Sequence, residues 1–315
     1  MNVYTKPFLS AHDLVHSHLP PKGITYTHEY DAQKAEDFLS RISWYRFKSY
    51  LHPFLDGSTK NYIAGTTFSR GIELYYFDCE LRELCNKYIL RIEVKAKTIL
   101  DHVVTSFTSD PFWYLNDDYF KDTGKLCNLR NKITTDLFYS KMEFAKYYKD
   151  NYISPKESWR SAPPFWLAIE LMSFDAFVKF AEAIDSNKFM LAGVNRIGDA
   201  AIQLNAKNYL EMISWLLAIK ELRNRASHSS RTWNSNYRQP KGFIGNNSYL
   251  TLPPSKRNKI YPILATIKKI SDNLIKPNND FTQELEALLT RYNNAQYILD
   301  GMGFPSNWRT DPIWN

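Results

Sequence analysis

Asp78-Cys-Glu-Leu-Arg-Glu-Leu-Cys-Asn-Lys-Tyr-Ile-Leu-Arg-Ile-Glu-Val-Lys-Ala-Lys-Thr-Ile-Leu-Asp-His-Val-Val104 is the stretch whose reading decides the fold. Leu81, Leu84, Cys85, Tyr88, Ile92, Ala96, Ile99 and Val103 recur every three or four positions, the spacing of one buried helix face. A long helix is expected from just after Asp78 to about Val104. Immediately upstream, Ile72 to Phe77 reads as weakly extended, with no convincing strand to pair with. Further upstream, Ala35, Phe38, Leu39, Ile42 and Tyr45 form a second stripe, placing a helix over Ala32–Tyr50 that His52-Pro53 ends. Ser10 caps a short helix over Ala11–His18, stopped by Pro20-Pro21.

Downstream the pattern stays helical. Residues 108–127, with Pro111 and Gly124, read as a loop, and a helix follows over Asn128–Tyr148. Pro163-Pro164 opens an apolar helix carrying Trp166, Ile169, Ser173, Phe177, Phe180 and Ile184 in register. The next helix spans 206–227, with Tyr209, Met212, Ile213, Leu216 and Leu217 on its apolar side. Residues 232–255 are rich in Asn, Gly, Pro and Ser and read as a loop. Helices over 256–274 and 279–293 precede an irregular, Trp-bearing tail. The fold class is all-α: a helical bundle with an N-terminal helical extension packed on it.

Composition narrows the class of protein. The chain has 315 residues, of which 44% are hydrophobic, enough for a real core and against a disordered chain. Cys79, Cys85 and Cys127 are too few and too badly spaced for a disulfide framework or a zinc site, which suits a reducing compartment. No apolar stretch is long enough for a membrane span and the first residues lack a signal peptide's apolar region, so the expected location is the cytoplasm. A net charge of +7 with 15% aromatic residues suits a polyanion carrying stackable bases, and equally a mildly basic protein with an aromatic core.

The chemistry-bearing segment is Glu221-Leu-Arg-Asn-Arg-Ala-Ser-His-Ser-Ser-Arg-Thr-Trp-Asn234. Of 7 histidines, His228 alone lies beyond residue 102, and it stands among Arg223, Arg225 and Arg231 at the polar end of an apolar helix. Imidazole exchanges protons near neutral pH, and guanidinium holds phosphate and its developing charge. Such a set is able to cleave RNA without a metal: one group deprotonates the 2′-OH and another protonates the 5′ leaving oxygen. A basic helix C-terminus favoured by the macrodipole is the plain structural alternative. On an ideal helix Asn224 lies about 40° from His228 but Arg223 about 140° away. Either the helix ends before His228, or two copies of the segment complete one site.

Arg223-Asn224-(three residues)-His228 matches the Arg-x4-His motif of HEPN ribonucleases, and the surrounding chain resembles the bacterial abortive-infection family of the Abi-D/Abi-F type. The resemblance is carried in order by Arg41-Ile-Ser-Trp-Tyr-Arg-Phe-Lys-Ser-Tyr-Leu-His-Pro-Phe54, Phe77-Asp-Cys-Glu-Leu-Arg82, Arg91-Ile-Glu-Val94 and Pro164-Phe-Trp-Leu-Ala-Ile-Glu170 with Ser173-Phe174. It continues through Trp215-Leu216, the motif block to Trp233-Asn234, and Gly303-Phe-Pro-Ser-Asn-Trp308. Where the family usually has Cys-Ala-His, this chain has Ala226-Ser227-His228, with Arg223, Asn224 and His228 kept. The resemblance implies a HEPN-type helical bundle, metal-independent RNA cleavage with no cofactor, active sites completed in a homodimer, and a role in phage defence. Some members resemble toxin–antitoxin pairs restrained by a structured non-coding RNA. The expected division is 1–70 as the helical extension and 71–315 as the HEPN-like domain with its motif at 223–228.

Supporting roles are read more openly. Glu170 sits on the apolar helix and needs a partner, which is Arg223, Arg231 or an unrelated structural pair. Glu93, near Arg91 and Lys95, is similar. Arg231 and Asn234 are candidate phosphate or base contacts. Arg41, Trp44, Tyr45, Arg46 and Lys48 interleave charge with rings, either to grip RNA or as the basic rim of a packed helix. Gly124-Lys125 is not a P-loop, Gly301-x-Gly303 is not a dinucleotide fingerprint, and Asp117-Asp118 reads as a helix cap. His12 and His16 have a metal-compatible spacing but no Glu between them, so they are assigned to a solvated face and no metal site is expected. The rival functions are a non-catalytic RNA-binding module and a helical scaffold without RNA.

Overall fold

The structure, a computed structural model, describes every residue except 1, 2, 4, 6, 155, 157–160, 244–249, 251, 275–279, 293–295 and 315. Parts of the expected 232–255 loop and the ends of the expected 279–293 helix therefore lie outside the described residues. The remainder is all-α apart from one two-residue hairpin, β1 (Met190–Leu191) against β2 (Val194–Asn195). No described helix is long and apolar enough to cross a membrane.

Ser10 caps α1 (Ala11–Asp13) through a reciprocal capping box with Asp13, and the chain runs on into a wider π-type turn, Leu14–His18. The helix expected over 32–50 is two, α2 (Ala32–Arg41) and α3 (Trp44–Leu51), separated by an extended Ile42 at φ −118° and ψ 115°. On one straight helix Phe38 and Phe47 would point about 180° apart. The break turns both inward, with ring centroids 4.9 Å apart.

The decisive stretch lies within α4 (Phe68–Thr108), a helix of 41 residues. Ile72 to Phe77 is helical, not extended, and its Ile72, Leu74 and Phe77 are buried. Aromatic and β-branched residues favour strands only weakly, and packing overrides them. Gly71 lies where α3 crosses: a Cβ there would stand 2.7 Å from Leu51 Cδ2. The 108–127 segment holds the turns Trp113–Leu115 and Asp117–Tyr119 around a fully buried Trp113. Asn116, not Asp117-Asp118, caps the second turn, while Asp117 pairs with Arg130.

Two further expected helices are also divided. In place of one over 128–148 stand α5 (Thr123–Tyr139) and α6 (Glu143–Tyr152), with Lys149 Nζ donating to the Phe138 and Ser140 carbonyls that the break exposes. The helix opened by Pro164 gives α7 (Phe165–Leu171) and α8 (Phe174–Ala183). Ser173 caps α8, and the Met172 carbonyl released at the break accepts from the buried Lys97. After the hairpin come α9 (Gly198–Gln203), α10 (Tyr209–Ser227), α11 (Tyr261–Ser271), α12 (Phe281–Arg291) and α13 (Gln296–Met302).

The core falls into two clusters. The larger gathers α4, α7, α8, α10 and α11. The smaller joins Leu14, Val15 and Leu19 to Ala35, Leu39, Phe47 and Leu51, and closes on Phe68 and Ile72 at the start of α4. One helix thus serves both cores, its first turns in the N-terminal cluster and its remainder in the main one. The Trp-bearing tail is packed, with Trp308 and Trp314 buried and Trp314 Nε1 donating to the Tyr261 hydroxyl.

Candidate functional site

α10 is buried nearly all round over its first two-thirds, then turns polar. Arg223, Asn224 and Arg225 are half-buried, Ala226 is buried, and Ser227 to Ser230 are exposed. The helix ends at Ser227, so the first of the two readings of the Arg223–His228 angle describes the single chain. The His228 N–H still donates to the Asn224 carbonyl at 3.1 Å, and Ser229 then turns the chain away at φ +51°. The His228 imidazole therefore stands in solvent at the last helical turn. Arg223 Nη1 reaches the Asn224 side-chain oxygen at 3.4 Å, so these two motif residues are in contact. Arg225 is held differently: it pairs with Glu221, donates to the Asn236 carbonyl and lies over the Tyr237 ring.

Asn224 and Ser230 line a cleft of about 550 Å³ together with Asp175, Lys220, Glu221 and Arg225. Desolvation pushes the Asp175 carboxyl up, but Lys179 and Lys220 outweigh it, and the group sits below its ordinary range. Neither Arg223 nor His228 is among the cleft's lining residues.

The N-terminal basic helix meets the motif directly. Arg46 donates to the Ser229 carbonyl, and Arg231 donates to the Ser49 carbonyl at 2.6 Å. These two guanidinium groups tie α3 to the turn after His228, in opposite chain directions. On α3 and just before it, Arg41, Tyr45, Arg46 and Lys48 are exposed while Trp44 is half-buried in the N-terminal cluster. Lys48 Nζ stands 3.8 Å from the Tyr45 ring centroid. Of these residues Arg46 is the one seen to touch the motif's end.

Other candidates are placed elsewhere. Glu170 is exposed, so the burial that called for an arginine partner is absent, and Arg231 is engaged with Ser49 instead. Glu93 pairs with Lys97 at 2.9 Å rather than with Arg91 or Lys95. The Asn234 side-chain oxygen accepts from Lys259 at 3.3 Å.

Asp78, which in the sequence marks a helix start and falls within the Phe77–Arg82 block, has a role there that the sequence did not assign. Its carboxylate is fully buried and accepts from the Tyr50 hydroxyl at 2.7 Å, Arg82 Nη1 at 2.6 Å and the Trp233 N–H at 2.8 Å. The Thr232 N–H and hydroxyl donate to it as well. One carboxylate therefore joins α3, α4 and the segment of chain that follows the motif. Burial, with Asp78 adding to it, holds the Tyr50 hydroxyl far above its usual range; burial lowers Arg82, but Asp78 and Tyr50 outweigh that and raise it. The i, i+4 pairing of Asp78 with Arg82 was the available signal. Gly301 closes the same region: a Cβ there would lie 2.2 Å from the Trp233 ring.

The described residues are all-α apart from the short hairpin, with the long helix α4 ahead of the Arg223–His228 segment. Residues 37–234 match the Abi-like protein family, so the chain belongs to that family. The matched span runs from α2 through the Asp78-bound Thr232-Trp233 pair to Asn234. No curated protein and no solved structure matches the chain.

Proposed function

We propose that the protein is a metal-independent endoribonuclease of HEPN type that acts in phage defence, by abortive infection or as an RNA-restrained toxin. The observation that carries this is the position of His228: an exposed imidazole at the end of α10, one turn from Asn224 and next to the turn that Arg46 and Arg231 hold. In this reading Arg223 and Asn224 position the scissile phosphate. A His228 imidazole takes the proton of the 2′-OH as its oxygen bonds to phosphorus, and the bond to the 5′ oxygen breaks as that oxygen receives a proton. The products are a 2′,3′-cyclic phosphate and a 5′-OH. Two proton transfers and one His228 per chain favour a homodimer in which a two-fold axis brings two segments to one cleft. Arg46 stands beside the motif's end, and the exposed Arg41, Tyr45 and Lys48 nearby in sequence offer further charge and a ring for RNA. The extension over 1–70 and the domain over 71–315 keep these roles as contact surface and catalytic body.

The test is cleavage of RNA by the purified full chain in EDTA, with the ends mapped. Cyclic phosphate ends, resistant DNA and loss of cleavage in His228→Ala and in Arg223→Ala are expected. Activity lost on chelation and restored by magnesium overturns the reading. Mixing the two inactive variants tests the composite cleft, and an active RNA-free species that stays monomeric at assay concentration refutes the dimer.

A second reading, an RNA-binding module without cleavage, is favoured by a separate cleft of about 900 Å³ lined by Phe112, Tyr147, Tyr152 and Trp166 among others. Exposed rings at its rim offer stacking surfaces for unpaired bases. RNA that co-purifies intact and is never cut supports this second reading.

A further inference from the structure

We propose that His12, His16 and Glu36 form a binding site for one divalent transition-metal ion of the zinc class. Glu36 Oε2 lies 3.1 Å from His12 Nδ1 and 3.2 Å from His16 Nε2, and the three ligand atoms all lie within 4.8 Å of one another. Zinc bonds of roughly 2.0–2.1 Å set tetrahedral ligand–ligand edges of about 3.3 Å. The two distances to the carboxylate oxygen are already close to such edges. Two imidazoles and one carboxylate are a donor set for zinc, cobalt(II) or nickel(II), not for magnesium or calcium, which take oxygen.

The two elements that supply the ligands are fixed before any ion arrives. The Ser10–Asp13 capping box sets the first turn, which carries His12. The Leu19 N–H donates five residues back to the Leu14 carbonyl at 2.9 Å, and the Tyr26 hydroxyl donates to the Val15 carbonyl at 2.6 Å. That wider turn is of the kind found inside helices at functional sites. It brings the His12 and His16 rings together with centroids 4.4 Å apart and planes tilted by 35°. On the facing element Asp31 caps α2, and Ala35 and Leu39 are buried against Leu14, Val15 and Leu19. Glu36 is thereby presented from a packed helix. The side chains are 67%, 41% and 26% exposed for His12, His16 and Glu36, which leaves an entry path and a fourth position for water. His18, two residues on, turns to Lys22 and takes no part.

All three ligands precede residue 37, where the family match begins, so membership in the family says nothing of this site. The ion would tie the first helical turn to α2 and close the N-terminal cluster from outside. It has no part in the proposed cleavage step.

The experiment uses the full chain, stripped with EDTA and dialysed. Zn²⁺ is titrated by calorimetry, and Co²⁺ by the visible absorption of a tetrahedral N/O site. One ion per chain in the micromolar range is expected. His12→Ala, His16→Ala and Glu36→Gln should each weaken binding by more than about tenfold, the loss that even outer partners of metal ligands cause. Zn²⁺ should also raise the melting temperature of the wild type and not of the His12→Ala/His16→Ala variant. No binding tighter than millimolar, or binding unchanged in that double variant, overturns the proposal. RNA cleavage assayed in EDTA should be the same for wild type and double variant, so either reading can fail without the other.

Discussion

His228 and Asp78 serve the two ends of one short segment of chain, yet their surroundings are opposite. His228 is exposed at a helix end, its N–H bonded to the Asn224 carbonyl. Asp78 is fully buried and accepts from Tyr50, Arg82, Thr232 and Trp233. A group that must meet a substrate and exchange protons needs solvent access, whereas a group that positions backbone needs the opposite. The segment from Ser227 to Trp233 joins the two regimes: it leaves α10 as an open turn and is then pinned by a buried carboxylate. Under the proposed function, position and reactivity fall to different residues, and each is open to separate attack.

The largest effect should come from the exposed partner. His228→Ala is expected to lower RNA cleavage by about 10²–10⁴-fold, with unfolding free energy within about 0.5 kcal/mol of wild type, as for ordinary surface changes. Single-turnover cleavage and urea unfolding of the same sample check both halves. The reverse pattern, stability lowered and cleavage kept, would erase the contrast. Asp78→Ala should do what His228→Ala does not: leaving Arg82 buried without its partner costs about 3–5 kcal/mol, visible as a lower urea midpoint. Tyr50→Phe removes one of the donors to that carboxylate and should cost about 1.5–3 kcal/mol, with cleavage reduced only as far as the turn loosens. The smallest effect belongs to the outer rim. Arg41→Ala, Arg46→Ala and Lys48→Ala together should flatten the salt dependence of RNA binding by about 0.7–0.9 in slope for each phosphate that is no longer neutralised. An unchanged slope assigns these residues to packing and to the Ser229 hydrogen bond alone.

The same contrast explains what the sequence disclosed. The stripe from Leu81 to Val103 is legible because a long buried helix face repeats one spacing many times. The breaks at Ile42, at Ser140–Met142 and at Met172-Ser173 are not, since each depends on which distant surface the two halves must both face. Ser173 is legible in principle as an N-cap, but its place in an apolar register conceals it. His228 stands out because it is isolated among arginines. Asp78 does not: its i, i+4 pairing with Arg82 is a local hint, but its bonds to Thr232, 154 residues away, leave no local trace. The Glu36 partner of His12 and His16 is hidden for the same reason: spacing within one helix cannot reveal a ligand supplied by the next.

The long reach of the Asp78 hydrogen bonds also sets an order of events during synthesis. α4 leaves the ribosome well before Thr232 exists, and domains are made from the N-terminus at about 5–20 residues per second. On that timescale Asp78 waits roughly eight to thirty seconds for the backbone donors that complete it. Gly301, against which the Trp233 ring rests, arrives later still. The turn bearing His228 is thus among the last parts of the molecule to be held in place, and a chain interrupted between the end of α4 and residue 232 carries α3 and α4 without the segment they brace.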